Sequence, residues 1–300
     1  MALSFEQERD LAIKANDIRQ TVIELLIRGV SKSGHTAGPL GMADVFTALY
    51  FHSLKHDPKR PDWPERDRLV LSNGHICPVL YATMIHAGYL KKEEVNDLRK
   101  FGSRLQGHPH REFLPALETS SGPLGAGLSQ AVGMAIAARM SYGANPTFYI
   151  YALLSDGELD EGNTWEGVML AGKEKLHNLI AIIDRNNIQI EGNTEDIMPL
   201  ENLRAKWEAF NWHVLEIDGH NLEQIIDSIE QAKAIFEKPT VIIAHTIPGK
   251  GVDFMEKDFK WHGNPPGKVD DNDGPAKEAQ GKEALRQLRT LGGKIRSEHE

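Results

Sequence analysis

Two residues, Asp156 and Asn186, have the types and the spacing for metal chemistry. Asp156 follows the run Thr147–Leu154 (TFYIYALL), and Asn186 follows Leu179–Ile183 (LIAII). Both runs are apolar and rich in β-branched or aromatic residues. They stop at Ser155-Asp156-Gly157 and at Asp184-Arg185-Asn186-Asn187, so each reads as a strand handing over to a turn. If the two strands are neighbours, the carboxylate and the carboxamide stand about 5 Å apart. One charged and one neutral hard oxygen suit a magnesium ion, which takes six oxygens, usually with only one or two carboxylates and phosphate oxygens completing the shell. Gly157 would let backbone approach those phosphates. The same residues also make ordinary βα turns, and that reading stays open on this pair alone.

The pattern repeats along the chain. Asn73 and His75 follow Arg68–Ser72 (RLVLS), Asp218 and His220 follow Val214–Ile217, and His245, Lys250 and His262 follow Thr240–Ala244. In an open parallel sheet, ligands bind where the loops at the carboxyl ends of the strands converge. Polar residues gathered at those ends therefore point to one site.

The elements that must position them follow from periodicity. A helix opens at Ser4, where Ser4-Phe5-Glu6-Gln7 reads as a capping box. Leu11, Ala15, Ile18, Val22, Leu25 and Leu26 give it one apolar stripe, and it ends near Gly29. Further helical stretches follow Asn73 and cover about 162–176, 203–210 and 222–236. Uninterrupted apolar strands separated by such helices predict an α/β fold, a parallel sheet covered by helices on both faces. Residues 1–265 read as one domain and 266–300 as a polar, exposed C-terminal extension with a terminal helix.

Composition narrows the function. Forty-three acidic against 34 basic residues give −9 at pH 7, which argues against nucleic acid or an anionic membrane as partner. The charge-free run Thr119–Ala138 holds four glycines and a proline and reads as a loop entering a small-residue helix, so no membrane span is expected. The lone Cys77 and the absence of a basic, apolar leader fit the cytoplasm. Two phosphate motifs fail. Gly167–Glu174 has Walker A spacing but ends in Glu, inside a helical pattern whose Val168, Met169 and Leu170 are expected to pack inward. Gly122–Gly127 has the wrong glycine spacing for a dinucleotide loop.

SDG at 155–157, then 28 residues, then NN at 186–187 resembles the thiamine-diphosphate motif. Around it KSGHTAGPLGMAD (32–44), LSNGH (71–75), GHP (107–109), ETSSGPLGAG (118–127), LDEG (159–162), NNIQIEG (186–192), DGH (218–220) and WHGNPPG (261–267) resemble transketolase, in its order and spacing. The resemblance covers roughly residues 10 to 267. It implies a thiamine-diphosphate and Mg²⁺ domain in which Asp156 and Asn186 give side-chain oxygens to the metal and Ile188 its carbonyl. Gly157 and His75 would touch the diphosphate, and Gly122, Pro123 and Leu124 would lie beside the cofactor's rings. Lys250 would assist cofactor binding, and both Lys250 and His220 rank second because the family pattern around them varies more. His35, His108 and His262 would line the channel, orient a ketose donor and assist proton transfers. The two-carbon transfer itself would be the cofactor's chemistry.

The resemblance also implies what the chain lacks. The pyrimidine-binding domain and its activating glutamate would sit on a separate partner subunit, in a heterotetramer acting on sugar phosphates. Glu161 matches a glutamate the family places at a subunit contact, and the four-residue spacing of Gly125, Ser129, Gly133 and Ala137 suggests a helix face for close packing. Three departures stand out: Ser155 for the usual glycine, Thr36-Ala37 for Pro-Gly, and Pro109-His110 for Pro-Glu. A related synthase making deoxyxylulose phosphate, a hydrolase with metal on His75, His108, His110 and Asp156, and a non-catalytic binding subunit are the competing readings.

Overall fold

The computed structural model describes residues 3–29, 32–270 and 274–298, with side chains described to Arg289. Helix α1 (Phe5–Arg28) opens with the expected box: Ser4 Oγ accepts from the Gln7 N–H, and Gln7 reaches back to the Ser4 N–H. Short helices α2 (Ala37–Gly41) and α3 (Ala43–Ala48) lead to strand β1 (Arg68–Leu71) and helix α4 (Cys77–His86). Then come α5 (Ala126–Tyr142), β2 (Ile150–Ser155), α6 (Gly162–Glu174), β3 (Leu179–Arg185), α7 (Thr194–Ile197), α8 (Leu203–Ala209), β4 (His213–Asp218), α9 (Leu222–Lys233), β5 (Thr240–His245) and α10 (Lys277–Glu298).

The five strands form one sheet in the order β1-β2-β3-β5-β4, parallel at every pairing. Alternation along each strand feeds two cores. Tyr151, Leu153, Ile180, Ile182, Ile242 and Ala244 pack with α1, α3, α4 and α9 on one face. Ile150, Ala152, Leu154, Leu179, Ala181, Ile183, Val241 and Ile243 pack with α5, α6 and α8 on the other. A strand buried on both faces has no polar side to show, which is why the runs read as uninterrupted. β2 and β3 are neighbours in the register Ser155↔Asp184, so Asp156 and Asn186 emerge side by side at one sheet edge.

Three expectations need correction. The segment after 265 does not simply extend into solvent. Helix α10 lies along α1, Ala284 and Leu288 are fully buried in the first core, and Leu288 O accepts from Asn16 Nδ2 at 2.9 Å. Its polar composition hid a narrow apolar stripe; residues 271–273 and 299–300 lie outside the described residues. On α6, Val168 is buried, but Met169 and Leu170 are 55% and 41% exposed, because the inward stripe runs through Thr164, Val168 and Ala171 instead. Gly125 is not on the helical stripe at all. It is the N-cap of α5 at φ 79°, a left-handed conformation that favours glycine.

Candidate active site

The carboxyl edge of the sheet holds two polar clusters. In the first, Asp156 is 1% exposed, and its Oδ1 accepts from the Gly157 N–H at 2.8 Å. Its Oδ2 accepts from Asn187 N–H at 2.7 Å and from Arg185 Nη1 at 3.1 Å. Arg185, the last residue of β3, also donates to Glu195 and Glu201. Asn186 Oδ1 accepts from the Ile188 N–H at 3.0 Å, while its Nδ2 donates to Asp184 Oδ2 at 2.8 Å. Asp184 is fully buried and accepts from Thr246 Oγ1 on its other oxygen. Burial pushes the Asp184 carboxyl up to about 7, and burial also raises Asp156 against the pull of its N–H donors and Arg185.

The second cluster is aromatic. The rings of His35 and His75 are 4.8 Å apart, His35 and His262 5.4 Å, and His75 and His262 5.3 Å. Burial lowers all three. His35 falls to about 3, with help from His262, Arg99 and His108, and His262 falls to about 4, so both are neutral at pH 7. His75 is lowered by burial and then by His35, His262 and His108. His108 is lowered by burial and Arg99. The Nδ1 atoms of His35 and His262 are buried without a hydrogen-bond partner among the described residues, as are both side-chain polar atoms of Asn73.

The Gly122–Leu124 loop is anchored at both ends, by Ser121 before it and by Gly125 after it. Ser121 N–H donates to Pro109 O and Ser121 Oγ to Leu71 O, which ties the loop to the end of β1. Gly74 permits this: a Cβ there would meet Ser121 Cβ at 2.6 Å.

The residues fit a Mg–diphosphate group on the chemistry of the donor set. One buried carboxylate, one carboxamide oxygen and the Ile188 backbone stand together as hard oxygens. Orphaned polar atoms at the same edge, on Asn73, His35 and His262, add acceptors and donors for a polar ligand. Thus the structure brings together Asp156, Asn186 and Ile188, and separately His35, His75 and His262 with His108 in electrostatic reach. Lys250 lines a cleft of about 390 Å³ with Phe5, Arg9, Arg19, Asp44 and His220. His220 there donates through Nδ1 to Asp44 at 2.7 Å, with Nε2 accepting from Ile247 N–H.

The chain matches the family described as transketolase, thiamine diphosphate binding domain, over residues 13–285. The chain belongs to this family. It is the thiamine-diphosphate-binding portion of a transketolase-type transferase, and transketolases use a divalent cation such as Mg²⁺. It is 45% identical over 257 residues to a 6-deoxy-6-sulfo-D-fructose transketolase subunit of a Clostridium species, covering 86% of this chain and 92% of that one. An apulose-4-phosphate transketolase subunit of Phocaeicola vulgatus is 42% identical over 256 residues, covering 85% and 89%. Transketolase from Pichia stipitis, solved with sedoheptulose 7-phosphate, superposes with a TM-score of 0.81 at 31% identity, covering 96% of this chain but 45% of that one. The chain thus spans nearly the whole of the subunit relatives and less than half of the full-length enzyme. Family membership leaves the hydrolase reading without support, and no group of three or more His, Cys, Asp or Glu among the described residues could hold a metal ion. Likewise no helix among the described residues is long and apolar enough to cross a membrane.

Sequence reasoning missed Asp184, Arg185 and Glu158 as parts of the site. An Asp-Arg pair closing an apolar strand was a usable signal. Glu158 offered none, since glutamate in a turn is ordinarily exposed.

Proposed function

We infer that this chain is the diphosphate-binding subunit of a two-chain transketolase that moves a two-carbon ketol unit from an anionic ketose to an aldose phosphate. The observation that carries this is coverage: the chain matches 92% of one relative named as a transketolase subunit, but 45% of a full-length enzyme. A second polypeptide then supplies the pyrimidine-binding half. The substrate class rests on the two subunit relatives, named for a sulfonated and a phosphorylated ketose.

In this reading Asp156, Asn186 and the Ile188 carbonyl hold Mg²⁺, and Gly157 and His75 meet the diphosphate. Gly122, Pro123 and Leu124 border the rings. When bound, thiamine diphosphate supplies the carbon-based electron sink for two-carbon transfer. His35, His262 and His108 hold the sugar hydroxyls and move protons. Neutral imidazole both donates and accepts, so burial that keeps His35 and His262 uncharged suits a shuttle.

Assembly as a heterotetramer draws support from α5 and α6. Ser129, Gly133 and Ala137 are exposed on one face of α5, and nothing lies within 4 Å of where a Gly133 Cβ would stand. Met140 on the same face is 82% exposed, and on the neighbouring helix α6 Met169 and Leu170 are exposed as well. An apolar face of this kind is a surface for another chain. Glu161 is exposed as well. A cytoplasmic location fits the single, buried Cys77.

The test mixes the purified chain with its partner subunit, thiamine diphosphate and Mg²⁺, and follows ketol transfer. Activity is expected only in the mixture, and Gly133→Leu should weaken assembly and cofactor retention together. Full activity of the chain alone would sink the two-chain reading, and unchanged sedimentation of folded Gly133→Leu with its partner would remove the interface.

A further inference from the structure

Glu158 stands two residues beyond Asp156 and is fully buried. Its Oε1 accepts from the Ser72 hydroxyl and from the Gly125 N–H at 2.5 Å, and its Oε2 from the Ser155 N–H at 3.3 Å. Ser72 Oγ in turn accepts from the Gly127 N–H at 3.1 Å. No cation among the described residues pairs with this carboxylate. A buried carboxylate with only hydrogen-bond donors around it is costly and holds its place through them.

The donors come from three separate elements of the fold. Ser72 follows β1, Ser155 ends β2, and Gly125 closes the Gly122–Leu124 loop and begins α5. The positive end of the 17-residue α5 also faces this carboxylate, which favours the anion. Two of the three partners sit on rigid strand ends, so the carboxylate passes the rigidity of the sheet to the third. Close fits around the junction leave little room for another arrangement. A Cβ on Gly127 would meet Ser72 at 2.5 Å, and one on Gly125 would meet Asn163 Oδ1 at 2.0 Å.

We propose that Glu158 is a positioning residue: it pins the Gly122–Leu124 loop to the ends of β1 and β2 and so sets where that loop meets the rings of thiamine diphosphate. This rests on the function inferred above. Glutamine at 158 would keep the size but turn an NH₂ toward one of three N–H or O–H donors, so at least one bond becomes a repulsion.

The experiment uses the full chain, alone and assembled with its partner subunit. Hydrogen exchange on the chain alone, with Glu158→Gln, should speed up about tenfold at the Gly125 and Gly127 amides and leave Ile180–Ile183 unchanged. In the assembled enzyme the cofactor concentration for half-maximal rate should rise about tenfold, with the rate recovering toward wild type as thiamine diphosphate saturates. Ser72→Ala, which removes one donor, should shift both readouts the same way by less. Where Glu158→Gln fails to fold, Ser72→Ala decides alone. Unchanged exchange at Gly125 and Gly127, or loss of protection spread equally over β3, overturns the pinning role. Wild-type cofactor dependence in a variant whose loop exchanges faster overturns the link to the cofactor. An assembled wild type that does not bind thiamine diphosphate would fail the functional reading, while the exchange data would still judge the pinning.

Discussion

The two clusters at the sheet edge are built on opposite principles. Around Asp156 and Asn186, each carboxylate and carboxamide oxygen already accepts at least one bond from the chain itself. In the cluster of His35, His75 and His262, the Nδ1 atoms of His35 and His262 lie buried with no partner among the described residues. The difference follows from charge. A buried carboxylate without donors is prohibitively costly, so a cation cradle must be assembled in advance by N–H groups and a guanidinium. An imidazole can shed its proton and stay neutral, so it tolerates burial with a lone pair or N–H still unspent. The first corner is a fixed electrostatic mould, and the second keeps its hydrogen-bonding capacity for what enters.

The largest test falls on the mould. Asp156→Asn keeps the volume and removes the only carboxylate among the proposed metal ligands, and should lower cofactor-dependent activity about a hundredfold or more. It is a cleaner probe than Asp156→Ala. At the level of sequence, Asp156 reads as an inexpensive turn residue whose loss spares the fold. In the structure it accepts three bonds and partners Arg185, so alanine would strand buried donors at about 1–3 kcal/mol each. Titrating the rate with Mg²⁺ checks it. A variant with wild-type Mg²⁺ dependence would show that the mould is only structural.

That revision marks what the sequence could show. Strands and their partners were legible because a doubly buried strand must be apolar throughout, and β2 and β3 end within two residues of the expected Leu154 and Ile183. The start of β2 was not: Thr147–Tyr149 share its composition, but the strand begins only at Ile150, where Asn178 O accepts from its N–H. Asp156, Asn186, His75 and His262 were legible as polar residues following strands, and His35 through the resemblance of its KSGHTAGPLGMAD motif. The support beneath them was not. Asp184 and Glu158 are carboxylates whose burial depends on donors far away in the chain, such as Thr246 for Asp184 and Ser72 for Glu158, and Arg185 is buried against the acceptor Asp156; no local pattern encodes such pairings. The terminal helix itself was expected, but its packing against α1 was not legible for a related reason, since the buried Ala284 and Leu288 are too few to lift a polar segment above the background.

A test of intermediate size addresses the open corner. His262→Ala should lower the rate at saturating cofactor about a hundredfold while changing the cofactor's half-saturation little, since its role is in orienting sugar and moving protons. The opposite split, weak cofactor binding with an intact rate, would make His262 part of the mould and erase the contrast between the corners.

The smallest effect is on stability against pH. In the folded chain burial holds His35 near 3, against about 6.5 for an unfolded imidazole. Between those values the unfolded chain carries a proton that the native one refuses. Stability from this group is therefore fully present above about pH 6.5 and is lost as pH falls toward 3. Asp184, raised to about 7, works in the opposite direction over an overlapping window, as does Glu158, raised to about 6. Both are present in wild type and in His35→Asn, so they cancel in the difference. The variant lacks one proton uptake on unfolding, and its curve of unfolding free energy against pH should be shallower by up to about 1.4 kcal/mol per pH unit below 6.5. Urea denaturation of both proteins at pH 7, 6 and 5 measures this. Parallel curves would mean that His35 titrates like a solvated imidazole, in which case the unspent nitrogen at this corner is not buried and the contrast with the Asp156 cradle loses its physical basis.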